Sequence, residues 1–115
     1  MTINRLREEM ETSRRQLLAA ATARRDPNQS YAGVLQMFKD VSSVDRVGAL
    51  AVVNEWLASE DEAQQQHAMA IVFHFKLKAS IPILKEVSKR LLEQNTGPAL
   101  AHREDVEKLI DTLGR

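Results

Sequence analysis

At 115 residues the chain is long enough to bury one hydrophobic core without disulfides or metal, and too short for two cores of ordinary size. Its 43% hydrophobic and 28% charged residues fit neither a disordered nor a membrane-spanning chain, and the absence of cysteine removes disulfides, thiol catalysis, Cys-ligated zinc and iron–sulfur clusters together. Sixteen basic residues balance sixteen acidic ones, so the chain as a whole lacks the positive field of a dedicated nucleic-acid binder. With no apolar leader at the N-terminus and no apolar run of membrane-spanning length, the expectation is a single cytoplasmic domain spanning residues 1–115.

Helical periodicity organises the chain into about six segments. From Thr2 to Ala23, Ile3, Leu6, Met10, Leu17 and Ala21 fall on one stripe, which predicts a first helix docking by one edge at the periphery. Arg24 to Asn28 reads as a break, since Pro27 disfavours helical geometry at Asp26, and Asn28 or Ser30 can cap a second helix over 29–41. Ser42 and Ser43 offer the next cap, for a third helix over 44–58. There Val47, Leu50, Ala51, Leu57 and Ala58 share one face, while Val52, Val53 and Trp56 project to another side. A helix with two apolar faces is either sandwiched or presents apolar surface outward.

Ser59-Glu60-Asp61-Glu62 has the spacing of a capping box and predicts a fourth helix. Its continuation, Ala63 to Leu77, is apolar around most of its circumference and marks the hydrophobic centre of the chain. Ser80 is placed to cap a fifth helix bearing Ile81, Leu84, Val87 and Leu91. After Asn95-Thr96-Gly97-Pro98, a last helix from about His102 carries Val106, Leu109, Ile110 and Leu113, with Gly114 as its stop. No stretch alternates with period two, so the fold class expected is all-α, about six antiparallel helices in a short solenoid or a compact bundle.

Pairing the second helix with the third and the fourth with the fifth gives units roughly 31 to 36 residues apart, the scale of a helical repeat. The stretch Ala63-Gln-Gln-Gln-His-Ala-Met-Ala-Ile-Val followed by Ala79-Ser-Ile-Pro-Ile-Leu resembles one unit of the HEAT-like repeats, over Asp61 to Leu92. That resemblance implies stacked helix pairs and a protein-binding surface. The unit from Gln29 to Ala58 lacks the matching proline.

Candidate chemistry is sparse. His67 and His74 stand seven residues apart, about 10 Å along one helix and too far for a shared zinc, so no metal site, no cofactor and no catalytic residue is expected. The serines fall at helix caps rather than on a nucleophile elbow, and the four glycines are isolated. The polar strip Gln64, His67, His74 and Lys78 on an otherwise apolar helix suggests a groove. Next to it Lys76, Lys78, Lys85, Lys89 and Arg90 oppose a single acidic residue, Glu86; pairing of Glu86 with Arg90 and of Lys89 with Glu93 would reduce this face to a solvated one. Trp56 is a packing residue between helix layers or an exposed interface anchor.

The function expected is a non-catalytic protein–protein interaction module, an adaptor or inhibitor of which bacterial immunity-type proteins are one kind. Its partner-binding residues would be Trp56, His67, His74, Lys78, Lys85 and Lys89, facing another protein with an acidic surface. The alternative is binding of nucleic-acid backbone through Lys78, Lys85, Lys89 and the arginines of the first helix. No membrane association is expected, and homo-oligomerisation stays open.

Overall fold

The computed structural model describes residues 2–115. Among the described residues the protein is all-helical, without strands: α1 (Ile3–Ala23), α2 (Pro27–Val44), α3 (Arg46–Ala58), α4 (Glu62–Phe75), a 3-10 turn (Lys78–Ser80), α5 (Ile81–Gln94) and α6 (Gly97–Gly114). The chain divides into two compact units, Met1–Glu55 and Trp56–Arg115, with the boundary inside α3.

In the first unit α1 opens where the Thr2 hydroxyl accepts from the Arg5 amide (3.3 Å). The row that α1 buries is Leu6, Met10, Arg14 and Ala21, while Ile3 is exposed and Leu17 half-buried. A charge therefore sits in the buried stripe, and Glu11 meets it with two contacts to the Arg14 guanidinium, 2.6 and 3.1 Å. α2 lies along α1 so closely that a Cβ on Gly33 would come within 2.6 Å of Leu17 Cδ2. α2 starts at Pro27, where the missing N–H costs nothing, and runs through Ser42 and Ser43. Those serines do not cap α3; their hydroxyls donate back to the Lys39 and Asp40 carbonyls.

The α3 cap is Asp45, whose Oδ1 accepts from the Gly48 amide (2.9 Å). Gly48 is buried, and a Cβ there would collide with the Asp45 carboxylate and stand 2.6 Å from Leu6 Cδ2. Gly48→Ala gains about 1 kcal/mol of helix propensity. It also displaces a cap worth about 1 kcal/mol and overpacks Leu6 at a further 1–3 kcal/mol. A lower thermal midpoint is therefore expected for the alanine variant.

Of the two apolar faces of α3, the one that begins at Val47 is split, since Leu57 on it is buried. Val52, Val53 and Trp56 are buried, whereas Val47 is 81% exposed. Val47 follows Arg46 at the open start of the helix, and Gly48, one residue on, takes the position against Leu6. Of the two alternatives for this helix, Val52, Val53 and Trp56 take the buried one and offer no apolar surface outward.

In the second unit Asp61 caps α4, its Oδ1 accepting from the Gln64 amide (3.0 Å). Ser59 instead accepts from the Asp61 amide (3.0 Å), so the capping box shifts two residues because the short Asp61 carboxylate reaches an N-terminal amide first. α4 ends without glycine. Lys76 adopts left-handed backbone (φ 54°), its amide reaches the Phe73 carbonyl (3.4 Å), and the Leu77 amide reaches Val72 (3.1 Å), a Schellman closure pinned by buried Val72 and Leu77.

Ser80 is fully buried at the end of the 3-10 turn and makes no capping bond to α5. Leu84, Val87 and Leu91 are buried as the α5 stripe. α6 begins five residues earlier than the periodicity suggests, because Thr96 accepts from the Ala99 amide (3.2 Å) and Pro98 fits the first turn. α5 and α6 pack along each other, and the buried Ser88 hydroxyl donates to Glu107 across that contact.

Candidate functional site

The six residues singled out from sequence separate into two groups. Trp56 is 3% exposed and His67 2% exposed, so neither offers a docking surface; both belong to the interior. His67 lies on the α4 face that carries buried Ile71, and the polar strip through Gln64, His67, His74 and Lys78 is not one groove. His74, Lys78, Lys85 and Lys89 are exposed. Lys78 belongs to the 3-10 turn rather than to α4.

The exposed group runs from the end of α4 through the 3-10 turn to past the middle of α5. No acidic residue occurs between Glu62 and Glu86, so this end of the helical pair is basic by sequence alone. The expected neutralising pairs are absent: among the described residues Lys76, Lys78, Lys85 and Lys89 form no salt bridge, and the Arg90 guanidinium donates through Nη1 to the Ala58 carbonyl (3.0 Å). Lys85 and Lys89 stand one turn apart, where like charges repel.

Phe73 completes this patch, and the sequence reading had placed it in the core. It is 53% exposed, and the Lys76 ammonium lies 4.1 Å from its ring centroid. Beside it the His74 ring meets Phe75 edge to face at 4.8 Å. The signal that could have found Phe73 is its row: Gln66, Met69, Ala70 and Phe73 recur at three- and four-residue spacing on the side away from buried Ala68, Ile71 and Val72. A polar Gln66 in that row marks it as outward.

A left-handed lysine costs about 1 kcal/mol or more relative to glycine, because the Cβ crowds the following carbonyl. Lys76→Gly is thus expected to hold or raise the thermal midpoint while removing the cation over Phe73. Parallel melting curves and affinity measurements on this variant separate the strain from the function.

A second feature escaped the sequence entirely. At the opposite end of the α4–α5 pair, a cleft of about 530 Å³ opens between the start of α4, the end of α5 and the start of α6. Glu60, Glu62 and Asp105 line it with Arg90, Gln65 and Gln94. It was illegible because its residues are far apart in sequence, and because the α6 start was misplaced beyond most of them.

The arginines of α1 are engaged by carboxylates: Arg5 with Glu9 (3.1 Å), Arg7 with Glu55 (2.6 and 2.7 Å), and Arg14 and Arg15 with Glu11. Hydrogen bonding to Glu55, reinforced by its charge, raises the Arg7 pKa further above its ordinary value. Among the described residues no cluster of three His, Asp or Glu side chains could hold a metal ion, and no helix is long and apolar enough to cross a membrane.

No protein-family model, no curated protein and no solved structure matches this chain. The functional reading therefore rests on its own residues.

Proposed function

We propose that this protein is a non-catalytic interaction module whose docking surface is the basic, aromatic patch at the α4–α5 turn, and that its partner is a protein with an acidic surface. The observation that carries the reading is Phe73: a half-exposed aromatic ring held under a lysine, in a stretch of lysines that no carboxylate neutralises. An exposed aromatic ring with a lysine over it, followed in sequence by further unpaired lysines, matches what is enriched at interface hot spots, and the positive charge selects an acidic counterpart. Left-handed backbone at Lys76 adds a local cost that the Schellman closure alone does not require, since glycine closes it more cheaply.

Phosphate backbone as the target is the weaker reading. The α1 arginines it would recruit are already paired, which leaves only the lysines of the second unit. A HEAT-like unit over Asp61 to Leu92 is compatible with the interaction reading, and adaptor and inhibitor roles both follow from it.

The experiment is photo-cross-linking from position 73 in the native host, with position 47 as a control because Val47 is also exposed but lies on α3, outside the α4–α5 pair. A cross-linked protein identified by mass spectrometry is then purified and titrated. The reading requires binding that Lys85→Glu/Lys89→Glu weakens at least tenfold. Equal affinity for the wild type and this variant refutes it, and a nucleic acid recovered in place of a protein favours the phosphate reading.

A further inference from the structure

We propose that the outer face of the α5–α6 pair binds a second copy of this chain, each α5 lying against the partner's α6. Both helices belong to the second compact unit. Three observations on them carry the proposal.

The first is the order of charge along each helix. On α5, Lys85, Lys89 and Leu92 recur at four- and three-residue spacing, which sets them in one straight row, and all three are exposed. On α6, Leu100, Glu104, Glu107 and Asp111 form a second such row, again exposed throughout. One row is basic and the other acidic, and each has its leucine at the end nearest the α5–α6 turn. The side chains of opposite sign, Glu86 and Glu93 on α5 and Arg103 and Lys108 on α6, fall roughly 60–100° to the side of these rows.

The second is that the chain leaves these charges open. Although α5 and α6 pack along each other, among the described residues no ion pair joins Lys85 or Lys89 to the acidic row, and Asp111 has none. The ion pairs of Glu104 and Glu107 stay on α6, with Lys108 at 3.8 Å and Arg103 at 3.6 Å. Such long, exposed contacts contribute little.

The third is register. The Ser88 hydroxyl donates to Glu107, which places the acidic row at the seam between the helices, and Leu92, one turn beyond Ser88, borders the same seam. A two-fold axis along this seam turns each α5 onto the partner's α6. Lys85 then meets the partner's Asp111, Lys89 meets the partner's Glu104 and Glu107, and Leu92 meets the partner's Leu100. Every contact occurs twice, and the pairing closes as a dimer of helix pairs. Leu92 is 50% exposed and Leu100 38%, and the dimer removes both from water. An unrelated acidic protein would satisfy the lysines alone, whereas a second copy satisfies both rows and covers both leucines.

This surface goes beyond the docking patch, with which it shares Lys85 and Lys89. Phe73 lies on α4 and takes no part in it, and the α6 row takes no part in docking. Phe73→Ala should therefore leave self-association unchanged, and Glu104→Lys/Asp111→Lys should remove self-association while leaving the docking patch intact. Either reading can fail without the other.

The test is sedimentation velocity of the full chain at low salt over a hundredfold range of concentration. The wild type should pass from monomer to dimer, and added salt should shift it back towards monomer. Lys85→Glu/Lys89→Glu makes both rows acidic, and Glu104→Lys/Asp111→Lys makes both basic. Each variant alone should stay monomeric at every concentration while melting like the wild type, because all four positions are exposed. Mixed in equal amounts, the two variants should form a heterodimer, since each acidic row then faces a basic one on both sides of the seam. A wild type that stays monomeric throughout, a variant that dimerises as the wild type does, or folded variants whose mixture stays monomeric overturns the proposal.

Discussion

Trp56→Ala is expected to cost about 3–5 kcal/mol of folding free energy, the range for removing a buried large aromatic with incomplete collapse around it. The side chain is 3% exposed and its neighbours Val52, Val53 and Leu57 are buried with it. Against a total of about 5–15 kcal/mol for a domain, that loss is a large part of the stability. At roughly 4 °C per kcal/mol, the thermal midpoint should fall by about 12–20 °C, and a chain at the low end of stability should unfold. Trp56→Phe retains most of the apolar volume and should fall in between. Calorimetry distinguishes this from an interface role: an exposed anchor would lose affinity in the alanine variant while melting like the wild type.

The second large effect is on binding. Phe73→Ala should lower affinity for the partner about 30-fold, equivalent to about 2 kcal/mol, the threshold of a hot spot. Because half of the ring is already in water, the folding cost should be only about 1 kcal/mol. Lys85→Glu/Lys89→Glu should change folding by no more than about 0.5 kcal/mol, since both side chains are exposed and unpaired, yet reverse the local charge. Its binding loss should shrink as salt rises, whereas the Phe73→Ala loss should persist. Titrations at two ionic strengths read both.

Trp56 and Phe73 mark how far the sequence could be read. The helices themselves were legible because apolar spacing survives any packing arrangement: Leu84, Val87 and Leu91, or Val106, Leu109 and Leu113, are buried as their period demands. What periodicity does not supply is which of two apolar faces goes inside. On α3 both faces are apolar, and the choice fell to Val52, Val53 and Trp56 with Val47 left outside.

On α4 the nearly continuous apolar run hid the outward row ending in Phe73, and gave buried His67 the look of a surface residue. Cap positions moved for local reasons, since Asp61 outcompetes Ser59 and Thr96 starts α6 ahead of its apolar stripe. Of the candidate site, the lysines were legible from their run without acids; the aromatic at its centre and the cleft at the opposite end depend on tertiary placement.

The most direct test of the docking surface is a nitrogen–proton correlation map of the wild-type chain titrated with the partner identified by cross-linking. The account predicts that perturbed amides concentrate from Phe73 to Lys89 and that Phe73→Ala abolishes saturation at the same concentrations. Perturbation centred elsewhere, with residues 73 to 89 silent, would contradict it.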